Sequence, residues 1–212
     1  MAGNVPVVKS LADVYPEAAV SQQTDRWRRL LSRFRERYGR DADFVARSPG
    51  RVNIIGEHID YSLYSVLPMA ITADCLLAVS ADDAPAAGEG ACKIRIANVH
   101  EDRFPAREFD VPPGGVEIDA AVHEWTNYFK SGLRGACEAL RRTRGPDFRP
   151  RSMRVLMDGS VPVGGGLSSS AAFTTTSALS VMVANGEEAV DKTELTELAI
   201  VSERAVGVNS GG

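Results

Sequence analysis

The sequence predicts an α+β domain, a mixed sheet packed with helices. Two observations carry that expectation. Segments of strand character cluster in the first half of the chain and segments of helical periodicity in the second. No internal repeat or long linker separates them, and 212 residues, 44% of them hydrophobic, can bury one good core or two small ones.

The elements follow in chain order. In residues 24–39, Trp27, Leu30, Leu31, Phe34 and Tyr38 recur at three- and four-residue steps and make one apolar helical stripe. Thr24 or Asp25 can cap that helix and Gly39 can end it. Residues 43–48 and 51–55 read as two strand pieces joined by a turn at Pro49-Gly50. A strand follows Pro68, residues 82–91 form a loop of small residues, and 92–99 alternate with period two. Residues 107–113 suit a short edge strand.

The clearest helix spans 121–142, where Trp125, Tyr128, Phe129, Leu133, Ala136, Cys137 and Leu140 hold the helical period. Gly132 and Gly135 cost that helix about 1 kcal/mol each against alanine, which suggests close packing on a neighbour. A strand at 151–162 leads into the glycine run, and helices follow at 168–185 and 191–206. The last opens Asp191-Lys192-Thr193-Glu194, a capping-box pattern with Asp as the cap, and Gly207 stops it.

Bulk chemistry narrows the function classes. A net charge of -4 argues against a duplex-binding protein, and the arginines of 24–39 suit a solvated helix face. Cys75, Cys92 and Cys137 are odd in number and widely spaced, as expected of reduced thiols rather than a disulfide framework. They lack the C-x-x-C spacing of a zinc site. The N-terminus has no signal-peptide pattern, and no apolar run approaches the length of a membrane span. A soluble cytoplasmic protein is the expectation.

Two stretches carry chemistry. In "VPVGGGLSSSAAF", residues 161–173, a strand, a glycine-rich turn and a helix start come together. The first N–H groups of a helix lack internal partners and carry partial positive charge, and glycines let the backbone approach a phosphate. Ser168, Ser169 and Ser170 add hydroxyls at that point. No lysine follows the glycines, so the Walker pattern is absent, and a flexible turn with a serine cap is the plain alternative. In "GRVNIIGEHIDY", residues 50–61, Arg51, Glu57, His58 and Asp60 crowd together. Their carboxylates can accept hydrogen bonds from a small polyol. A polar turn with a satisfied histidine is the alternative there, and a zinc site would need a further ligand at proper spacing.

Residues 50–71, "GRVNIIGEHIDYSLYSVLPMAI", resemble the galactokinase signature, and their wording is most similar to fungal members. Residues 161–173 resemble the second motif of the wider GHMP kinase superfamily, which includes homoserine, mevalonate and phosphomevalonate kinases. Residues 124–132 and 201–212 are similar to the galactokinase segments around it. The resemblance runs from about residue 40 to the end. It implies a GHMP-kinase N-terminal domain over 41–212, of the fold named for domain 2 of ribosomal protein S5, behind an extension and helix over 1–40.

The resemblance also implies ATP-dependent phosphorylation of galactose at its anomeric hydroxyl. Glu57, His58 and Asp60 would hold sugar hydroxyls, and Arg51 would sit between sugar and γ-phosphate. Gly164, Gly166, Ser168 and Ser169 would wrap the nucleotide phosphates. Ser170, which also belongs to the nucleotide loop, and Glu203 would lie near Mg2+, and Trp125 would border the base. Galactokinases continue past "NSGG" with Met-Asp-Gln, whose aspartate takes the sugar proton, and with a C-terminal domain that completes the cleft. The sequence stops at Gly212, so the expectation is a truncated, inactive polypeptide with an uncovered apolar surface. Arg204 stands where many relatives have His.

Two further readings are a galactose- and ATP-sensing regulator that engages a repressor protein, and an N-acetylgalactosamine kinase. A non-catalytic relative lacks a Ser-Ala pair in the glycine motif. Here Ser168 to Ala172 are all present.

Overall fold

Helix α1 (Glu17–Tyr38) follows a short 3-10 turn (Leu11–Asp13) in the computed structural model, which describes residues 3–56, 64–83, 92–122 and 124–207. It starts well before Thr24. Pro16, with φ of -57°, stands at its N-cap without a side-chain bond. Gly39 ends it as expected, in the left-handed conformation at φ 69°. The buried stripe is Arg26, Leu30 and Phe34, whereas Leu31 is 40% exposed. Trp27 and Tyr38 also pack against Leu30 and Phe34, so four of the five expected stripe residues face the interior; Leu31 does not, and Arg26 is buried beside them.

Among the described residues five strands form one mixed sheet: β1 (Phe44–Ile55), β2 (Leu67–Ala81), β3 (Cys92–Asn98), β4 (Arg107–Val111) and β5 (Met153–Gly159). Their spatial order is β1-β2-β5-β3-β4. All neighbours are antiparallel except β3 and β5, which pair from Ile94 with Met153 to Asn98 with Met157. A parallel pair needs a long crossover, and β4 and the helix α2 (Asn127–Arg144) supply it. β4 is an edge strand, as its sequence suggests.

Pro49-Gly50 makes no turn. β1 runs through it unbroken, with its register against β2 shifting between Pro49 and Arg51. An irregularity in the ladder suits a proline with no N–H to donate.

The pleat sends alternate residues of β2 to opposite faces. Cys75, Leu77 and Val79 join Ile94, Ile96, Met153 and Val155 in the main core under α2, α3 (Ser169–Ala184) and α4 (Lys192–Glu203). Leu76 and Ala78 face the other way and meet Leu30 and Phe34 of α1. Strands β2 and β5 are thus covered on both sides.

Helix α2 begins at Asn127 rather than 121. The Asn127 amide group donates to the carbonyls of Asp119 (3.0 Å) and Val122 (2.9 Å), fastening the turns that precede the helix. A Cβ on Gly132 would lie 2.5 Å from the Thr174 carbonyl oxygen of α3, so only glycine permits this approach. Helix α3 packs on β1, β2, α2 and α4 and is buried along most of its length. At the start of α4 the Asp191 carboxylate accepts from the amides of Thr193 (2.8 Å) and Glu194 (3.1 Å), as its pattern predicts. A short 3-10 turn, Arg204–Val206, then closes at Gly207. The three cysteines are free and buried, and burial pushes each thiol up to about 12. Among the described residues no helix is long and apolar enough to cross a membrane.

Candidate functional site

The glycine-rich turn leaves the sheet at the end of β5 and enters α3. Gly164 and Gly166 adopt φ of 75° and 68°, a region that side chains rarely occupy. Ser168 is left-handed too, at φ 58° and ψ 43°, which only this non-glycine residue shows among the described residues. Its side chain makes no capping bond. Such a conformation costs on the order of 1–3 kcal/mol and collects at ligand-binding turns. The first hydrogen bond inside α3 runs from the Ala172 amide to the Ser168 carbonyl (2.9 Å). The amides before it have no partner within the helix and form a positive mouth.

Strand β1 lies directly beside this turn. The Arg51 amide donates to the Leu167 carbonyl at 3.1 Å. A Cβ on Gly50 would meet that same carbonyl oxygen at 2.9 Å and Val161 at 3.0 Å. The two chemistry-bearing stretches, more than a hundred residues apart in sequence, are thus joined through Gly50, Arg51 and Leu167. Glu57, His58 and Asp60 lie outside the described residues.

A cavity of about 160 Å³ opens next to the start of α3. Ser169 and Ser170 line its helix side, and Val161 and Val163 its turn side. Trp125, Phe104 and Phe173 supply aromatic walls. Trp125 stacks on Phe173 (centroids 6.0 Å apart, planes 13° apart) and meets Phe104 at 6.0 Å. The Trp125 indole N–H donates to the Pro105 carbonyl at 3.0 Å, which fixes the ring. Tyr128 lines the same cavity. Burial, and then the Glu203 carboxylate, hold its phenol above the ordinary range. Glu203 itself is 1% exposed, at the end of α4. Among the described residues no three His, Cys, Asp or Glu side chains gather as a metal cluster.

Several lining residues carry no functional signal in the sequence. Asn98, His100 and Phe104 lie in a stretch with no motif, whereas Tyr128 and Phe173 fall in the resembling stretches but read there as core-stripe or helix positions. Asp74 is another. It lines the cavity, and its fully buried carboxylate accepts from Tyr15, Arg26 and Arg47.

A five-stranded mixed sheet with a glycine turn feeding a buried helix is the GHMP kinase N-terminal fold. The GHMP kinases N terminal domain matches residues 127–212, and the galactokinase galactose-binding signature matches 32–81. Mevalonate kinase from Methanococcus jannaschii shares the fold at TM-score 0.60 and 16% identity, over 77% of this chain and 46% of that one. Lactococcus lactis galactokinase complexed with galactose superposes at TM-score 0.68 and 26% identity, over 87% of this chain and 44% of that one.

In sequence the chain is 37% identical to a Candida maltosa galactokinase, over 97% of this chain and 91% of that protein. It is 40% identical to the Schizosaccharomyces pombe galactokinase over 88% of this chain and 36% of that protein. The chain belongs to the galactokinase family. It spans about 36% of the length of the Schizosaccharomyces pombe and Candida parapsilosis relatives.

Proposed function

We propose that this chain carries the sugar-binding strand and the phosphate-binding turn of an ATP-dependent galactokinase, which moves the γ-phosphoryl group to the anomeric hydroxyl of galactose. The observation that supports this most is the bond from the Arg51 amide to the Leu167 carbonyl, which puts the sugar signature against the phosphate turn. Phosphoryl transfer asks a protein mainly for positioning and charge neutralisation. The unpaired amides of α3 with Gly164, Gly166, Ser168 and Ser169 hold the phosphates, and the aromatic cavity takes the base against Trp125. Arg51 stabilises charge that develops between the two substrates. Glu57, His58 and Asp60 grip the sugar hydroxyls.

The residues present fit magnesium. That ion keeps most of its water and takes one or two protein oxygens plus phosphate oxygens, so it needs no dense carboxylate cluster. Ser170 in the cavity wall and the nearly inaccessible Glu203 would hold it. When bound, it neutralises phosphate charge.

Titrating the 212-residue chain with magnesium-ATP, read by tryptophan fluorescence, tests the nucleotide half. The expected result is a saturable change that Trp125→Phe abolishes. A folded chain that gives no nucleotide response would overturn the proposal. Calorimetry with galactose and N-acetylgalactosamine tests the sugar half, and Asp60→Asn should weaken galactose while leaving ATP affinity unchanged. In a coupled ADP-release assay these 212 residues alone should show no turnover, because they cover only 36% of the length of such relatives.

A further inference from the structure

Among the described residues, a buried charged cluster adjoins the site just described. It sits where β5 ends beside the middle of β2, at the start of the glycine-rich turn. Its centre is Asp74, whose side chain is 0% exposed. The carboxylate accepts from the Tyr15 hydroxyl (2.6 Å), the Arg47 Nε (2.6 Å) and the Arg26 Nη1 (2.5 Å). Arg26 reaches it from α1 with its side chain 10% exposed. Its Nη1 also donates to the Gln23 Oε1 (3.2 Å). Its Nη2 donates to the Asp158 carbonyl (2.9 Å), lies 3.1 Å from the Asp158 Oδ1, and makes a longer bond to the Asp74 carbonyl (3.4 Å). One guanidinium therefore bridges β2 and β5.

The bridge lies at the root of the turn. Two residues beyond Asp158, the Ser160 amide donates to the Asp74 carbonyl (2.8 Å). The Ser160 hydroxyl accepts from the Asp74 amide (3.0 Å) and donates to the Asp74 carbonyl (3.2 Å). Val161 follows and touches the space kept open by Gly50. Asp74 and Gly159 both line the cavity. Replacing a planar, forked guanidinium at such a two-strand contact removes several directional bonds at once. An apolar contact of equal size would seal the layer but would not set the orientation of the Asp158–Ser160 backbone.

We propose that Arg26 is a positioning residue for nucleotide binding: by holding Asp74 and Asp158 together it sets where the glycine-rich turn leaves the sheet. This rests on the reading that the turn binds phosphate. It gives Arg26, which lies outside both motifs, a part in ATP affinity.

The test compares the whole chain with Arg26→Met and Arg26→Lys. Amide exchange by NMR is followed at Asp74, Ser160 and Arg51, with Ile94 and Ile96 as references in β3. In Arg26→Met the three root amides should exchange roughly tenfold faster while the references hold, because the opening is local. The dissociation constant for magnesium-ATP should rise roughly fivefold or more and that for galactose stay within about twofold, with Arg26→Lys intermediate in both. An equal rise in exchange at all five amides, or unchanged ATP affinity despite loosened root amides, overturns the proposal. If Arg26→Met does not fold, Arg26→Lys decides by the same criteria. If wild-type chain binds no ATP but Arg26→Met loosens only the root amides, the phosphate reading fails and the control of the turn by Arg26 stands.

Discussion

On one face of the sheet, α2, α3 and α4 bury Leu77, Val79, Ile94, Phe129 and Leu133 in a broad apolar core. On the other, α1 buries Leu30 and Phe34 against Leu76 and Ala78, and then turns Arg26 inward onto Asp74. The first face is held by contacts with little directional demand, so volume decides what is tolerated there. The second ends in charge-assisted bonds whose angles matter. One face supplies cohesion, and the other adds orientation at the root of the turn.

Substitutions on the two faces should separate these effects. Asp74→Ala leaves Arg26 and Arg47 facing a buried space without their shared carboxylate. It should cost about 3–5 kcal/mol by denaturant unfolding. A loss under about 1 kcal/mol would mean that water readily replaces the carboxylate. The apolar face holds the three cysteines, which make it sensitive to alkali. Their folded values near 12 lie above the ordinary thiol value, so their contribution is fully present below about pH 9 and is lost as pH rises toward 12. From pH 8 to pH 10 each thiol should remove on the order of 1 kcal/mol, read as a falling denaturant midpoint. Ellman's reagent should find no reactive thiol in the native chain at pH 8.

Leu133→Ala, at a fully buried position of α2, should cost about 2–5 kcal/mol while leaving the exchange of the Ser160 amide unchanged relative to its neighbours. At the small end, Leu31→Ala on α1 should change stability by less than about 0.5 kcal/mol. A larger loss would restore Leu31 to the buried stripe that sequence periodicity assigns it.

The contrast between Leu31 and Arg26 marks where local sequence stops being informative. Periodicity locates α1, but the residues before Thr24 have no apolar stripe to follow, and the burial of Arg26 goes with its pairing to Asp74, a residue 48 positions away. Pro49-Gly50 has the local chemistry of a turn, yet β2 pairs on both sides of it and carries the strand through. Caps are more legible. Asp191 and Gly39 act through neighbours within a few residues, so tertiary packing does not override them.

At the site, the glycine run and its serines announce themselves as a motif. The cavity beside them does not, because Phe104, Trp125 and Phe173 come from three distant segments. Asp74 is hidden for the same reason, since its partners Tyr15, Arg26 and Arg47 all lie more than twenty residues away.

Helix α3 is walled in by two strands and two helices, and its first turn is its least buried stretch. A dipole mounted this way cannot swing to greet an arriving anion. If the turn holds phosphate as proposed, its donors are already aimed, so binding would spend little on rearrangement, and affinity would rest on how well the visitor matches a fixed socket.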